Sequence, residues 1–488
     1  MSQDTLTPVA ANERITTLDV IRGVALLGIF FMNIEFFNRP IAELGNGLPT
    51  GVSGLDYWAG MFVHIFIRAK FWTMFSLLFG MGFAVMLMRA ESSGRSFLKP
   101  YIRRTIALGI IGAAHFIFLW NGDILFSYAT AAAFLLVLFY ARPKVLMWIA
   151  IAMLALAAAA GGAALAGFDK VPWAPFLGLG VPVLLLWIVV RVIRKYPLAG
   201  LRNAGLALYL LPCLGMMIGG AVTPQVPQAE RDAAALAEAK TPAEKTKVRE
   251  EQAKAAKAVK EQEQKAATER KLLSTGTYAE NLAFRAKDFP QNAAQHTFFA
   301  MFFVLGMFMV GTWFIRSGVM ARPAEHLDLF RKLALFGIPL GLGLTVVAAA
   351  IATTHHRGLN DGLFIFSQGL MLAAALPACI GYVAAIVLLF HSRFRGWVAP
   401  FAPAGRMALT IYIAQSVIGT TFFYGYGLGW WGMGRALQLV FVVVAFAALL
   451  AFAHVWLSRF RYGPLEWLWR AATYLHAPSM RQERLAPA

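Results

Sequence analysis

Apolar residues run in stretches of membrane-spanning length along nearly the whole chain, broken by short polar loops. The pattern predicts twelve helices, near 18–37, 58–88, 104–121, 124–141, 145–166 and 174–193, then 203–222, 297–316, 333–353, 362–391, 405–424 and 435–458. The second run exceeds one span and carries Lys70 within it, a natural place for a kink. The expected fold class is an all-α polytopic helical bundle of about 10–12 transmembrane helices. It divides into an N-terminal tail (1–17), a first transmembrane bundle (18–222), a helical insertion (223–296), a second bundle (297–460) and a terminal segment (461–488). That last segment, RYGPLEWLWRAATY at its start, turns at Gly463-Pro464 and continues as an amphipathic interfacial helix with Trp467, Trp469 and Tyr474.

The insertion breaks the apolar pattern. It holds 11 acidic and 13 basic residues, and its core from Glu230 to Leu273 is rich in Ala, Glu, Lys and Gln, all strong helix formers. Thr241-Pro242-Ala243-Glu244 is a capping box with proline at the first helical position, so a helix starts there. Unbroken to Leu272 it would reach roughly 45 Å. Apolar positions are too sparse for a coiled-coil seam, which predicts a solvated helical arm. The following TGTYAENLAFRAKDFPQNAAQ has apolar Tyr278, Leu282 and Phe289 beside Arg285, and reads as a segment lying on the membrane's outer surface.

Composition agrees with a bilayer setting: 59% hydrophobic, 14% charged, mean hydropathy +0.62. The net charge of +19 is unevenly placed. Loops 89–104, 141–144, 191–202, 316–332 and 391–395 are basic; loops 38–56, 121–123, 167–173 and 425–434 carry few basic residues. With twelve spans the basic loops fall on one side with both termini, and the positive-inside rule makes that side the cytoplasm. The charge therefore reads as topology and contact with anionic membrane lipids. A nucleic-acid partner is a poor reading, because no soluble basic-aromatic module exists to carry it. The polar first 17 residues and the long first apolar run predict an anchor rather than a cleaved signal. Cys213 and Cys379 fall inside predicted spans at no metal spacing, and no nucleotide-binding or metalloprotease motif stands in a credible context. A homo-oligomer is left open.

Candidate chemistry lies where polar residues enter apolar runs, since such positions are costly and face the protein interior. In ITTLDVIRGVALLGIFFMNIEFF, Asp19 and Arg22 share one helix face a turn apart, and Asn33 lies within about 40° of Arg22 some 17 Å further along. Glu35 points the other way. In IGAAHFIFLWNGDILFSYA, His115 sits near the outer half of a span, and Asp123 follows the tight Asn121-Gly122 turn. A histidine within reach of a carboxylate is an acid–base arrangement, although Asp123 alone would also serve as a helix cap. Lys70, behind Arg68, reads either as a snorkelling cation or as a partner for Glu35 or Asp19. Gln415, with Thr410, Tyr412 and Ser416, reads as interhelical hydrogen bonding or as part of a polar path. His355-His356 with Asp361 is a weak metal pattern. Arg103 and Arg104 at a helix start offer a site for phosphates, or belong to the ordinary positive-inside charge.

Three groups of stretches together, LDVIRGVALLGIFFMNI, then KFWTMFSLLFGMGF with HFIFLWNGDILFSYA, and GRMALTIYIAQS with YGYGLG and RYGPLEWLWRAATY, resemble the YeiB family of bacterial inner-membrane proteins, which end in a domain of unknown function. The resemblance spans about residues 14–475 and leaves the 229–271 arm as an addition. It implies the bacterial inner membrane as location and the periplasm as the side of the insertion. More distantly, the LDxxRG start and an asparagine one span-length later resemble the transmembrane acyltransferases, which include heparan-alpha-glucosaminide N-acetyltransferase and membrane O-acetylases of surface glycans. In those, acyl-CoA enters from the cytoplasm and the acyl group leaves on an acceptor at the other face. By that resemblance Asp19 and Arg22 match the opening motif and Asn33 the amide near the acceptor. The proposed catalytic histidine of the glucosaminide enzyme has no counterpart in EFFNRPIAELGNGLPTG.

The leading expectation is acyl transfer from acyl-CoA, acetyl-CoA above all, to a small-molecule or glycan acceptor, without a metal. His115 and Asp123 would supply the base, Asn33 an oxyanion donor, and Arg103 and Arg104 the phosphate contacts. Asp19, Arg22, Lys70 and Gln415 would line the substrate path. A transporter of a small polar solute or lipid headgroup would use the same stripe as its path, and a membrane scaffold would use the outer arm. Inverted repeats, which would favour transport, are not visible.

Overall fold

The structure, a computed structural model, describes residues 14–43, 51–165, 174–223, 228–354 and 361–482. The tail before residue 14, His355, His356 and the last six residues lie outside the described residues. The described chain is helical, with one isolated bridge between Phe460 and Arg481 and no strand among the described residues. The first part comprises α1 (Thr16–Phe37), α2 (Gly54–Phe62), α3 (Lys70–Ser93), α4 (Leu98–Ala114), α5 (Leu125–Tyr140), α6 (Pro143–Leu165), α7 (Ala174–Lys195) and α8 (Pro197–Val222). The insertion supplies α9 (Gln228–Glu238), α10 (Pro242–Thr275) and α11 (Tyr278–Phe299). Then follow α12 (Leu305–Arg316), α13 (Leu327–Thr354), α14 (Gly362–Phe390), the short α15 (Arg395–Val398) and α16 (Ala402–Arg406), α17 (Ala408–Phe423), α18 (Arg435–Leu457) and α19 (Pro464–Tyr474).

Among the described residues ten helical runs are long and apolar enough to cross a membrane, and α5 and α17 are shorter apolar helices of 16 residues each. The chain is a multi-pass membrane protein with an all-α polytopic bundle. Helix α5 begins late because the chain before it is a loop held inside the bundle, where Trp120 and Asp123 are buried. The segments expected to be basic loops meet at one end, here called the base. There Arg316 approaches Glu91 at 3.5 Å, and Arg194 Nη2 donates to the Ala141 carbonyl at 2.8 Å. The opposite end is the arm face.

The two long apolar runs are built differently. Gly54–Ser93, 40 residues, passes from α2 through a π-helical turn at Val63–Ile67 and breaks at Arg68–Ala69 before α3 starts at Lys70, where the sequence length predicted a kink. Tyr278–Arg316, 39 residues, runs from α11 through a π-helical turn at Ala300–Val304 into α12 without a break. The segment expected to lie on the outer surface is therefore a helix continuous with α12. Within it Arg285 is 2% exposed and donates from Nε to the Ile117 carbonyl at 2.8 Å. Backbone carbonyls inside the protein thus hold its Nε and Nη2.

The arm starts where the capping box placed it: Thr241 Oγ1 accepts from the Glu244 N–H, and Glu244 returns to the Thr241 N–H at 3.1 Å. Much of α10 is exposed, but one face of its last turns is not. Glu269 and Leu273 are buried on the arm face, and the neighbouring Arg270 pairs with Glu43. The expectation of a wholly solvated arm fails there because these residues roof the bundle.

At the base, α16 presses directly on α1. A Cβ at Gly23 would overlap the Phe401 carbonyl, and one at Gly405 would overlap the Asp19 carbonyl, so only glycine permits this approach. Gly405→Leu is expected to destabilise the detergent-solubilised protein by at least about 2 kcal/mol through overpacking. Gly343→Leu on α13, where a Cβ meets nothing within 4 Å, should shift stability by less than about 0.5 kcal/mol. Thermal unfolding of both variants checks the contrast.

Candidate functional site

Asp19 and Arg22 sit in the first two turns of α1, where the 3.6-residue period brings them together: Arg22 Nη1 donates to Asp19 Oδ1 at 2.9 Å. Both line a cavity of about 250 Å³ that enters the bundle from the base. Arg14, Arg89, Arg104, Arg406 and Arg470 join Arg22 on its walls, against the carboxylates of Asp19 and Glu466 among the described residues. Further in, Ile29, Phe75, Leu78, Tyr128 and Tyr412 make the lining apolar and aromatic. A cationic mouth leading to an apolar interior suits a ligand with an anionic head and an uncharged tail.

Helix α19 makes the floor of this cavity. Trp469 is buried, donates from Nε1 to the Arg104 carbonyl at 2.8 Å and carries the Arg104 guanidinium over its ring at 3.6 Å. Glu466 reaches up to cap α17: Oε1 accepts from the Leu409 N–H at 2.6 Å and the Thr410 N–H at 3.0 Å, and Oε2 accepts from Thr410 Oγ1 at 2.6 Å. Burial pushes the Glu466 carboxyl above its ordinary value and the Arg470 guanidinium below its own.

Above the cavity lies a buried polar triad. Helix α4 ends in a π-helical turn, His115–Leu119, a distortion that recurs at functional sites and turns the His115 ring inward. His115 Nδ1 lies 2.8 Å from Asp123 Oδ1, and Nε2 lies 2.9 Å from Ser416 Oγ on α17. Asp123 also caps α5, its Oδ2 accepting from the Phe126 N–H at 2.7 Å, so the capping and acid–base readings of this residue coexist. With the carboxylate accepting from Nδ1–H, Nε2 is left to accept the Ser416 hydroxyl proton, the order of a serine–histidine–aspartate relay. His115, Asp123 and Ser416 are 2%, 3% and 1% exposed. Tyr412 joins the two halves of the site: it lines the cavity, and its ring lies 5.2 Å from that of His115.

The roof comes from the arm. Glu269 Oε1 accepts from Asn121 Nδ2 and from the Ile41 N–H, each at 3.0 Å, and the Leu273 carbonyl accepts from the Gly425 N–H at 2.8 Å. A second histidine, His296 on α11, meets Ser127 Oγ at 2.6 Å through Nδ1, one turn along α5 from Asp123.

Of the residues singled out from sequence, His115 and Asp123 meet, as do Asp19 and Arg22, and Arg104 joins the latter pair on the cavity wall. Arg103 is not among the lining residues. Asn33 is half-buried and forms no hydrogen bond with His115. Gln415 is buried and donates from Nε2 to the Leu26 carbonyl at 3.1 Å, the interhelical role. Lys70 is fully buried and pairs with neither Glu35 nor Asp19, because Arg435 Nε takes Glu35 at 2.7 Å and Arg22 takes Asp19. Asp361 caps α14 through the Phe364 N–H at 3.1 Å, and no cluster of metal-ligating residues forms among the described residues. Ser416 was legible only as a polar residue in a span; its place one turn beyond Tyr412 on the same face was the available signal.

A family model described as a protein of unknown function, DUF418, matches residues 314–476, which include Ser416, Glu466 and Arg470. The uncharacterized protein YxaH of Bacillus subtilis (strain 168) is 29% identical over 477 residues, 96% of each chain. The uncharacterized protein YeiB of Escherichia coli (strain K12) is 28% identical over 471 residues, 94% of this chain and 96% of that one. An uncharacterized 39.9 kDa protein from the amylase 3' region of Bacillus acidopullulyticus is 35% identical over 138 residues, 28% of this chain and 38% of its own. No solved structure matches.

The raised Glu466 carboxyl sets a pH dependence. The folded state holds this proton more tightly than the unfolded chain, so the contribution to stability is complete below the ordinary value of 4.5 and is lost as pH rises through the folded value. The difference in unfolding midpoint between wild type and Glu466→Gln should therefore change across that interval, with wild type losing ground as pH rises. Thermal scans from pH 4 to 8 check it.

Proposed function

Since the chain belongs to the YeiB family and carries a C-terminal domain of unknown function, we propose its activity from the site: a membrane acyltransferase that takes an acyl group, acetyl in the simplest case, from acyl-CoA at the base and passes it to an acceptor at the arm face. The base is then the cytoplasmic side, where the basic loops gather, of a bacterial inner membrane, with both termini inside. The acceptor is a small molecule or glycan of the cell envelope.

The observation that carries this reading is the Asp123–His115–Ser416 relay standing behind an arginine-rich cavity. The arginines supply charge-assisted bonds for the donor's phosphates, and the apolar interior takes its uncharged arm toward Tyr412. Ser416 Oγ attacks the thioester carbonyl while His115 Nε2 takes the hydroxyl proton; the C–S bond breaks and the thiolate leaves with that proton. An acceptor hydroxyl then gives its proton to His115 and attacks the acyl-serine, the acyl group moves to the acceptor, and Ser416 regains its hydrogen. Asp123 holds the imidazole tautomer throughout. Ser416 is buried, so the Tyr412 ring must swing aside for the donor to reach it, and that movement is part of the proposal.

The test uses detergent-purified protein and radiolabelled acetyl-CoA. Wild type should bind the donor saturably and retain label on Ser416, whereas Ser416→Ala and His115→Ala should bind it and stay unlabelled. Arg104→Ala and Arg470→Ala should each weaken binding about tenfold, the worth of one charge-assisted contact. Failure of folded protein to bind acetyl-CoA or longer acyl-CoAs would overturn the reading in favour of a solute path lined by the same residues.

A further inference from the structure

The break in the Gly54–Ser93 span is an unusual place for charge. Three basic side chains, His64, Arg68 and Lys70, crowd around it within electrostatic range of one another, and the span resumes as α3 with no side-chain cap. A helix restarting inside the bundle turns the positive end of its dipole and its first amide N–H groups inward. Ala69 takes a left-handed φ of +67° to make the turn, a strained conformation for a residue with a Cβ.

The polar atoms at this break are incompletely matched. Arg68 Nη2 donates to Gln368 Oε1 at 3.0 Å, and Nη1 lies 3.3 Å from His64 Nδ1. Gln368 Nε2 is buried with no partner among the described residues, and so is Lys70 Nζ, on a side chain with 0% exposure. Glu35 is the carboxylate within electrostatic range of Arg68, but it is engaged by Arg435. A charged ammonium left unpaired there is costly, and a neutral amine still leaves N–H groups without acceptors. What the cluster lacks is an acceptor.

We propose that the break between α2 and α3 binds a small monovalent anion, a halide or a compact carboxylate, held by Lys70 Nζ, Gln368 Nε2 and the N-terminus of α3, with Arg68 as the flanking charge. One anion satisfies both idle donors and offsets the repulsion between Arg68 and Lys70. Discontinuous spans that aim a helix N-terminus at an anionic group are an established membrane solution to the same problem. The site is separate from the cavity: it requires no donor thioester and does not depend on the acyl-transfer reading.

The test is thermal unfolding of the full-length protein in non-ionic detergent, first equilibrated in sodium gluconate, whose anion is far larger than chloride or acetate. Sodium chloride or sodium acetate then replaces gluconate at constant ionic strength. At least one of the two should raise the midpoint saturably, and which one does so identifies the ligand as halide or carboxylate. Lys70→Met should abolish the rise, and Gln368→Leu should weaken the apparent affinity about tenfold, the loss of one contact to a charged group. Lys257→Met, which removes an exposed charge from the arm, should respond as wild type does. Should Lys70→Met fail to fold, the Gln368→Leu titration decides. No saturable rise in wild type with either anion, or an unweakened rise in Gln368→Leu, overturns the proposal.

Discussion

Inside an apolar bundle a histidine needs a partner for each ring nitrogen, and no water is at hand to supply one. His115 has both, Asp123 on one side and Ser416 on the other, and much of the surrounding architecture follows from keeping them there. The π-helical turn after Ala114 aims the ring. The loop from Trp120 to Ile124 folds into the bundle so that Asp123 can return to it, which is why α5 starts late. Helix α17 must then stand close enough to present Ser416, and Glu466 caps the first turn of that helix from below. The buried relay and the floor of the arginine-rich cavity are thus tied through one helix.

The two ends of the molecule treat charge differently. At the base, guanidinium groups gather around an opening and leave room for an anionic visitor. At the arm face, charged side chains are engaged internally: Glu269 by Asn121 and Ile41, Arg285 Nε by the Ile117 carbonyl, Glu35 by Arg435. A path through the protein would therefore be open and cationic on one side and closed on the other. That polarity is what a donor entering from one side and an acceptor waiting at the other would require.

How much of this was legible in the sequence depended on chain separation. His115 and Asp123 are eight residues apart, and Asp19 and Arg22 three, so helix periodicity and one tight turn suffice to bring each pair together. The length of the 58–88 run against a bilayer likewise exposed the break at Lys70. Ser416 could not be assigned to His115 because nothing local links the two. Glu269 looked like any other glutamate in an Ala/Glu/Lys helix, since only tertiary contact distinguishes a roof residue from a solvated one. The partner of Arg285 is hidden for a related reason: an arginine beside apolar residues suits a membrane surface as well as a buried carbonyl, and the π-helical turn that carries the Ile117 carbonyl leaves no mark in composition.

The 301 residues that separate His115 from Ser416 also bear on how the protein is made. The ribosome delivers α4 and α5 to the membrane long before α17 exists, so for most of synthesis the imidazole has a partner at Nδ1 and none at Nε2. Glu269 and Leu273, which close the arm face, emerge in between. The first half of the bundle is consequently inserted with an unfinished polar interior, and its completion is a late event that depends on the last spans. A chain truncated before Ser416 would keep a histidine in an apolar setting with one nitrogen unmatched, a polar defect that only the last spans repair.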